Sequence, residues 1–197
     1  MSETLHAVAL ASQSPRRLQL LLGLGLEVTV IRSGFAEESR ALEGDAEMLA
    51  LDLATAKVRA AEAHGPHVVV GADTIVAVDR TMLGKPKDDS DATRMLRLLS
   101  GREHTVYTGF AVINRRSGAE YAGVESTRVH FLPLSDTQIA GYVGSGDARD
   151  KAGAYGIQGR GALMVLSIVG DFYTVMGLPV ARLGQALSSF GYDLLAG

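Results

Sequence analysis

The chain has 197 residues, of which 47% are hydrophobic, and this suits one ordinary globular domain or one domain with a small second lobe. The formal net charge of −3 provides no overall positive field for nucleic acid, so any anion site must be local. Without cysteine, the chain has no disulfide, thiolate metal site or cysteine nucleophile. No apolar stretch is long enough to span a membrane, and the N-terminus lacks a signal-peptide pattern. We therefore expect a cytoplasmic protein with neither a membrane nor nucleic acid as its partner.

The first predicted elements are a short strand, Leu5 to Leu10, and a helix that follows a serine-rich turn. Ser14 is a candidate cap for this helix, and Pro15 fits its first turn. Arg16 and Arg17 lie in the same turn, where the helix dipole disfavours cations unless an anion binds there. We therefore favour an anion site over the plainer alternative, two surface arginines without a ligand.

Two carboxylates and a lysine follow in the next elements. A strand from Val28 to Ile31 leads into an acidic turn that contains Glu37 and Glu38. This turn is either a solvated charge cluster or a source of carboxylate ligands for a hard cation such as Mg²⁺. A helix is predicted from Asp45 to about His64, and Lys57 borders its apolar face. The lysine either extends to solvent along that face or points into a cleft.

The stretch from Val68 to Pro86 organises the predicted site. Val68 to Val70 is an apolar, β-branched run typical of a buried strand, and Asp73 stands where this run stops. A carboxylate at that point is expected near the carboxyl edge of the sheet, where open α/β sheets bind ligands. A second apolar run, Thr74 to Val78, then leads through a turn to Lys85. The plainer alternative is that Asp73 caps a turn and Lys85 is a solvated loop residue.

The remaining elements complete an alternation of strands and helices. They are a helix that begins at Asp89 or Ser90, a long antiparallel hairpin of His104 to Ile113 and Tyr121 to Phe131, a short helix from Ser135 to Val143, a strand from Met164 to Val169, a turn at Gly170 to Tyr173 and a last helix from Pro179 to about Gly191. Residues 151–161 contain four glycines, which allow close approach to a ligand but are equally typical of a flexible surface loop. The order predicts an α/β fold with a mixed sheet, and we treat residues 1–197 as one domain.

The polar candidates share chemistry that suits a phosphorylated ligand. They are Ser12, Arg16, Arg17, Glu38, Lys57, Asp73, Lys85 and Gln158. Two arginines and two lysines suit a polyphosphate, and two carboxylates suit Mg²⁺ bridged to phosphates. Neither a Walker motif nor GxGxxG is present. The residues alone therefore predict an α/β protein with a candidate site for a phosphorylated ligand and a metal.

Five segments, in the same order along nearly the whole chain, resemble motifs of the Maf family of nucleoside triphosphate pyrophosphatases. They read LASQSPRR at 10–17, GADT at 71–74, GKP at 84–86, KAGAYGIQG at 151–159 and GLP at 177–179. The resemblance implies an elongated, two-lobed α/β/α fold like that of inosine triphosphate pyrophosphatases. It also implies hydrolysis of a nucleoside triphosphate to the monophosphate and pyrophosphate with Mg²⁺ or Mn²⁺. The SPRR, GADT and AYGIQG forms are similar to those of the subgroup that acts on dTTP and UTP.

The resemblance also implies a role for each candidate residue. Asp73 is expected to be the general base that activates water and, with Glu38, to bind the metal, although Glu37 is adjacent and an equal candidate. Substrate specificity is expected at Arg16, Thr74 and Gln158, and phosphate binding at Ser12, Arg17, Lys57 and Lys85. A Gln158 amide offers both a donor and an acceptor, so it matches the carbonyl–NH–carbonyl edge of uracil and thymine.

Two other functions remain open at this point. The family has been associated with inhibition of septum formation, so a nucleotide-binding regulator without important turnover is the alternative to an enzyme. The complete set of Asp73, Lys57 and Lys85 favours turnover, because a sensor needs no base. A general inosine-type triphosphate hydrolase is the second alternative, since fold alone does not determine function. A homodimer is compatible with each of these functions.

Overall fold

The computed structural model describes residues 6–35, 42–62 and 64–195. Within them, a seven-stranded mixed sheet carries helices on both faces, so the predicted α/β class is confirmed. The strands are β1 (Ala7–Leu10), β2 (Glu27–Val30), β3 (Val68–Val78), β4 (Thr81–Leu83), β5 (Glu103–Asn114), β6 (Glu120–Phe131) and β7 (Val165–Val169). The helices are α1 (Pro15–Gly23), α2 (Ala46–Arg59), α3 (Asp89–Leu99), α4 (Asp136–Gly144), α5 (Phe172–Met176) and α6 (Val180–Ser189), with short 3₁₀ helices at Ala152–Ala154 and Gly159–Met164. None of the helices in these ranges is long and apolar enough to cross a membrane.

The sheet is interrupted along one edge of β3. The strand order is β2-β1-β3-β5-β6-β7, and β1 is parallel to β2 and β3 whereas the other pairs are antiparallel. β1 pairs with β3 only at Val69 and Val70, and β4 pairs with β3 from Val76 to Val78. Residues 71–75 of β3 therefore have no strand beside them on that edge among the described residues. We call this interruption the β3 gap.

Helix α2 lies directly on the sheet because two glycines leave room for it. A Cβ added at Gly109 would lie 2.2 Å from the Ala50 carbonyl oxygen, and one at Gly71 would lie 2.6 Å from Val58 Cγ1. Such distances are far inside van der Waals contact, so neither position tolerates a side chain without movement of α2. The two glycines thus set how closely α2 approaches β3 and β5.

The opposite face of the long strands carries two hydrophobic clusters, one at each end. At one end, Val70 and Ala72 pack with Leu183 and Leu187 of α6. At the other end, Val76 belongs to a cluster with residues of α3 and α4. A polar residue, Thr74, separates the two clusters along β3. This division into two cores agrees with the predicted two-lobed arrangement.

Asp73 does not stand at the end of a strand, and this part of the prediction is wrong. β3 runs without a break from Val68 to Val78, and Asp73 pairs with Gly109 in its middle. The strand continues through the polar residues because β5 pairs with every residue from Val68 to Ala77. The main-chain hydrogen bonds to β5 therefore keep residues 71–75 in the strand, although the run of apolar residues is interrupted there. The carboxylate reaches ligands through the β3 gap instead of over the end of the sheet.

Several element boundaries also differ from the predictions. Helix α2 ends at Arg59, five residues before His64. Asp88, and not Asp89 or Ser90, caps α3, because its side chain accepts a hydrogen bond from the main-chain N–H of Asp91 at 2.7 Å. The predicted turn at 170–173 contains the start of helix α5. By contrast, the hairpin of β5 and β6 and the capping box that begins α4 are confirmed.

Candidate active site

A cleft of about 1510 Å³ opens at the β3 gap. All eight candidate residues within the described part of the chain line it: Ser12, Arg16, Arg17, Lys57, Asp73, Thr74, Lys85 and Gln158. The ninth candidate, Glu38, lies outside the described residues, as does Glu37. Segments separated by up to 146 positions in the sequence, from Ser12 to Gln158, therefore meet in one cleft.

The β3 gap explains how consecutive residues of one strand both reach the cleft. Side chains alternate between the two faces of a strand, so Asp73 points toward the face covered by α2 and Thr74 points toward the opposite face. A closed sheet would separate these two side chains. Because β1 stops at Leu10, both faces of β3 are accessible from its open edge.

Asp73 and Lys57 form a nearly buried ion pair at the centre of this cleft. Lys57 Nζ donates a hydrogen bond to Asp73 Oδ1, and the exposed fractions of the two side chains are 3% and 15%. Asp73 Oδ2 has no hydrogen-bond partner among the described residues. Lys57 therefore points into the cleft instead of extending to solvent, and Asp73 caps no turn. Both plainer alternatives for these residues are wrong.

Arg17 joins three separate segments at the cleft. Its Nε donates to the Gly177 carbonyl oxygen at 2.7 Å, its Nη1 to Ser12 Oγ at 3.1 Å and its Nη2 to Thr74 Oγ1 at 3.1 Å. The residue is buried, so the alternative of an exposed surface arginine is wrong for Arg17. Its guanidinium ties the serine-rich turn and the loop after α5 to β3.

Two buried threonines continue this hydrogen-bond network and were not predicted as site residues. The Thr108 hydroxyl donates to the Thr174 carbonyl oxygen at 2.7 Å. Its oxygen therefore accepts the proton of the Thr74 hydroxyl, 3.0 Å away. Thr108 and Thr174 are both fully buried. The available signal was a threonine within the otherwise apolar face of β5, where a buried hydroxyl requires a partner.

The glycine-rich residues 151–161 form another wall of the cleft. Gln158 is exposed there, and its side chain makes no hydrogen bond with the described residues. The main-chain N–H of Gly153 donates to the Gly84 carbonyl oxygen at 3.1 Å, which ties this wall to the loop that carries Lys85. Gly156 has no room for a side chain, because an added Cβ would lie 2.8 Å from Lys151 Cε. These residues thus form a fixed wall and not a flexible surface loop.

Lys151 organises the acidic residues of this wall. Its ammonium donates to the carbonyl oxygen and Oδ1 of Asp147, the latter at 2.8 Å, and to Asp150 Oδ1 at 2.7 Å. Arg16 Nη1 donates to the other oxygen of Asp150, Oδ2, at 3.2 Å. Burial alone would raise the pKa of Asp150, but the hydrogen bond from Lys151 and the charge of Arg16 outweigh it and lower that pKa. Asp150 is therefore held ionised between two cations.

Tyr142 connects the same wall to helix α4. Its hydroxyl donates to Asp147 Oδ2 at 2.6 Å and accepts from the main-chain N–H of Gly156 at 3.0 Å. Burial and the hydrogen bond to Asp147 raise the pKa of Tyr142. Burial opposes ionisation of Asp147, yet hydrogen bonds from Lys151 and Tyr142 lower its pKa. Sequence reasoning missed this cluster, although the spacing of Asp147 and Lys151 is that of a helical ion pair.

The side chain of Tyr155 anchors the wall in the core beneath it. The Tyr155 hydroxyl lies 2.7 Å from His104 Nε2, and both rings pack edge-on against Phe131. His104 Nδ1 is buried and has no hydrogen-bond partner among the described residues. Burial lowers the pKa of His104 from 6.5 to about 4, with a smaller effect from His130.

The oxygen donors of the cleft determine whether it fits a divalent metal. Residues 6–35, 42–62 and 64–195 contain no group of three or more acidic, histidine or cysteine side chains that could hold an ion alone. Mg²⁺ commonly binds one or two protein carboxylates and completes its shell with water and substrate phosphates. Asp73 Oδ2 provides one such carboxylate oxygen at the cleft. The residues therefore fit a metal that enters with a polyphosphate.

Known proteins are similar to this chain along nearly its whole length. The family model described as Maf-like protein matches residues 7–190. A dTTP/UTP pyrophosphatase of Symbiobacterium thermophilum is 45% identical over 194 residues, which cover 98% of this chain and 98% of the relative. One from Moorella thermoacetica is 47% identical over 188 residues, which cover 95% and 96% of the two chains. The solved structure of a HAM1 protein from Coxiella burnetii matches with a TM-score of 0.49 and 18% identity, covering 93% of this chain and 98% of the other.

Proposed function

The chain belongs to the Maf-like protein family, and on that premise we propose that it hydrolyses dTTP and UTP to the nucleoside monophosphate and pyrophosphate. The observation that carries this proposal is the composition of one cleft. Eight cationic side chains line it, among them the four predicted ones, Arg16, Arg17, Lys57 and Lys85. Asp73 lies beside Lys57, and its Oδ2 has no hydrogen-bond partner among the described residues. A triphosphate requires such a concentration of positive charge in a protein whose net charge is −3.

Asp73 is the proposed general base. Lys57 fixes Oδ1, so Oδ2 is left with two lone pairs, of which one would face a metal and the other would accept a proton from a water molecule bound in the cleft. The water oxygen forms a bond to the α-phosphorus as its proton passes to Asp73, and the bond between the α-phosphorus and the bridging oxygen breaks. The electron pair of that bond leaves with pyrophosphate. Correct placement of the water and the phosphorus supplies much of the rate in such a reaction.

The cations are proposed to neutralise the phosphates as charge moves onto the leaving group. Lys85 is exposed at the cleft, and Lys57 and Arg17 lie beside the carboxylate and the serine-rich turn. Ser12, whose Oγ already accepts from Arg17, would position this turn against a phosphate. Mg²⁺ or Mn²⁺ held by Asp73, with Glu38 as a further ligand, would add positive charge near the phosphates. Preorganised charge of this kind usually contributes strongly to phosphoryl transfer.

Base preference is proposed to reside at the glycine-rich wall. The exposed Gln158 amide has its donor and acceptor available, and uracil and thymine present a matching edge. Arg16 lies at the same wall through its contact with Asp150. The Thr74 hydroxyl is already engaged by Arg17 and Thr108, so its contribution would come through the shape of the cleft.

A panel of nucleoside triphosphates tests the proposal. Purified protein is incubated with dTTP, UTP, CTP, GTP and ITP in Mg²⁺ or Mn²⁺, and pyrophosphate and orthophosphate are measured separately. We expect pyrophosphate from dTTP and UTP, much less from the purines, and none after chelation of the metal. Orthophosphate as the first product would place the attack at another phosphorus and refute the mechanism. Tight nucleotide binding without any product would favour the regulator instead.

Compartment and assembly are also part of the proposal. We propose a cytoplasmic reaction with no nucleic acid as partner, since the net charge of −3 provides no overall positive field. A homodimer is the proposed assembly, and sedimentation equilibrium of the purified chain measures it directly. A mass equal to one chain at micromolar concentration would contradict the dimer without affecting the proposed chemistry.

A further inference from the structure

A continuous chain of hydrogen bonds runs between Arg16, one residue proposed to read the base, and the main chain two residues before Gln158, the other. It starts two residues before Gln158, where the Gly156 N–H donates to Tyr142, and passes through Asp147 to the ammonium of Lys151. Lys151 Nζ also donates to Asp150 Oδ1 at 2.7 Å, and Arg16 Nη1 donates to Asp150 Oδ2 at 3.2 Å, so the chain ends at Arg16. No step of the proposed hydrolysis uses this chain.

The Arg16–Asp150 pair differs from an ordinary surface ion pair because one partner is fixed. Asp150 is anchored through Oδ1 by Lys151, whose side chain is only 10% exposed. The Arg16 side chain is 24% exposed. By comparison, both partners of the Arg97–Asp136 pair are free in solvent, with exposed fractions of 59% and 78%. A fixed carboxylate oxygen restricts the direction of a long, flexible arginine side chain, whereas a free pair imposes little order.

We propose that Asp150 is a specificity-positioning residue, which holds Arg16 in the direction that suits the carbonyl oxygens of a pyrimidine base. Tyr142, Asp147 and Lys151 hold the main chain before Gln158 in register with it. Thymine and uracil present carbonyl oxygens to a guanidinium donor, whereas adenine presents an amino group that repels it. The inference rests on the proposed function and extends it from separate side chains to one connected unit.

A double-mutant cycle between Arg16 and Asp150 tests the inference. Asp150→Asn keeps the size of the side chain but removes its charge, so we expect the ratio of kcat/KM for UTP to that for ATP to fall about tenfold. In an Arg16→Ala background, the same substitution should leave the ratio unchanged, because Asp150 acts through Arg16. Asp150→Glu, which retains the charge, should restore part of the ratio. Asp136→Asn is the matched control on an ordinary surface pair and should have no effect.

The expected melting temperatures of all these variants lie close to that of the parent, since exposed pairs contribute little to stability. An equal fall of the ratio in both backgrounds, or an unchanged ratio in Asp150→Asn, overturns the inference. If Asp150→Asn does not fold, Asp150→Ser is measured in its place. Dissociation constants of the same variants for UMP and AMP, measured by calorimetry, provide a second readout of the cycle. If the parent releases no pyrophosphate, the proposed function fails and these constants still decide the inference; a parent that binds neither nucleotide overturns both.

Discussion

At the scale of single residues, the nearly buried pair of Lys57 and Asp73 decides which substitutions are informative. Removing one partner of such a pair leaves an uncompensated charge and typically costs about 3–5 kcal/mol of folding free energy. A truncation to alanine would therefore mix lost catalysis with lost stability. Replacement of the carboxylate by an amide also removes the charge, but it keeps an oxygen that accepts from Lys57 and so disturbs folding less than truncation does. A melting curve measured beside the rate then separates lost stability from lost catalysis.

Asp73→Asn should abolish most activity in a folded protein. The amide cannot accept a proton from water, and general-base steps contribute about 10²–10⁴-fold in rate. The measurement is the rate of pyrophosphate release from dTTP at saturating metal, together with a melting curve. Asp136→Asn, on the exposed start of α4, controls for the loss of a charge. A folded Asp73→Asn protein within a few-fold of the parental rate would remove Asp73 from catalysis.

Gln158→Ala should change substrate choice more than chemistry. Loss of the amide leaves polar groups of a pyrimidine base unpaired in the cleft, which weakens discrimination against purines. The measurement is the ratio of kcat/KM for UTP to that for GTP, which we expect to fall while the rate with purines changes little. Gln185→Ala on the exposed side of α6 is the matched control. Unchanged selectivity in Gln158→Ala would refute the base-reading role.

At the scale of elements, the closeness of α2 to the sheet places Lys57 next to Asp73. The helix rests on two glycines of β3 and β5: its main chain meets the sheet at Gly109, and the short Val58 side chain meets it at Gly71. A side chain at either position would push the whole helix outward. The catalytic pair therefore depends on residues that carry no chemistry themselves.

Gly109→Ala should destabilise the protein and reduce activity together. The new methyl group would overlap the Ala50 carbonyl oxygen, and overpacking of this kind typically costs about 1–3 kcal/mol. Gly184→Ala on α6 is the control, because its Cβ meets nothing within 4 Å and alanine favours the helix. Thermal melts and the dTTP rate measure both effects. A Gly109→Ala protein as stable as the parent would contradict the close contact.

The buried His104 should make the glycine-rich wall sensitive to acid. Its pKa is lowered from 6.5 to about 4 in the folded protein, so the unfolded chain binds a proton that the folded chain does not between these values. Stability is therefore lost as pH falls from about 6.5 to 4, by about 3 kcal/mol in total. His104→Phe should flatten the dependence of unfolding free energy on pH over this range. An equally steep dependence in that variant would assign the acid sensitivity to other groups.

At the scale of the whole molecule, the cleft is built from segments that are distant in the sequence. A ligand bound there should therefore stabilise the global fold and not only a local loop. For a ligand at a hundred times its dissociation constant, the expected gain is about 2.7 kcal/mol of unfolding free energy. We expect UMP to raise the melting temperature more than GMP does at the same concentration. Equal shifts for the two nucleotides would argue against a pyrimidine-specific cleft.

The sequence predicted the local helices and strands well. It predicted that distant segments meet in one site only through the family resemblance. Alternation identified the β5–β6 hairpin because its period of two is visible residue by residue. The continuity of β3 through Asp73 was missed, since it depends on pairing with a strand 36 residues away at Gly109. The network of Tyr142, Asp147 and Lys151 was missed for another reason: Asp147 and Lys151 follow the end of α4, where no helical or strand period marks them. Contacts between distant segments leave no periodic signal, whereas helix caps such as Ser135 leave a short one.

The early end of β1 has a consequence for how this molecule tolerates insertions. The strand stops at Leu10, and the serine-rich turn that ends it has a proline, Pro15, which cannot donate a strand hydrogen bond. The length of β1 therefore sets the size of an aperture beside β3. Each further residue of β1 that paired with β3 would cover part of the entrance to the Asp73 carboxylate. Residues added between Ser12 and Pro15 would narrow or widen this aperture without displacing Leu10 and Ala11, which are buried in the hydrophobic clusters. Variation in that short segment is thus a route by which related chains could admit ligands of different bulk.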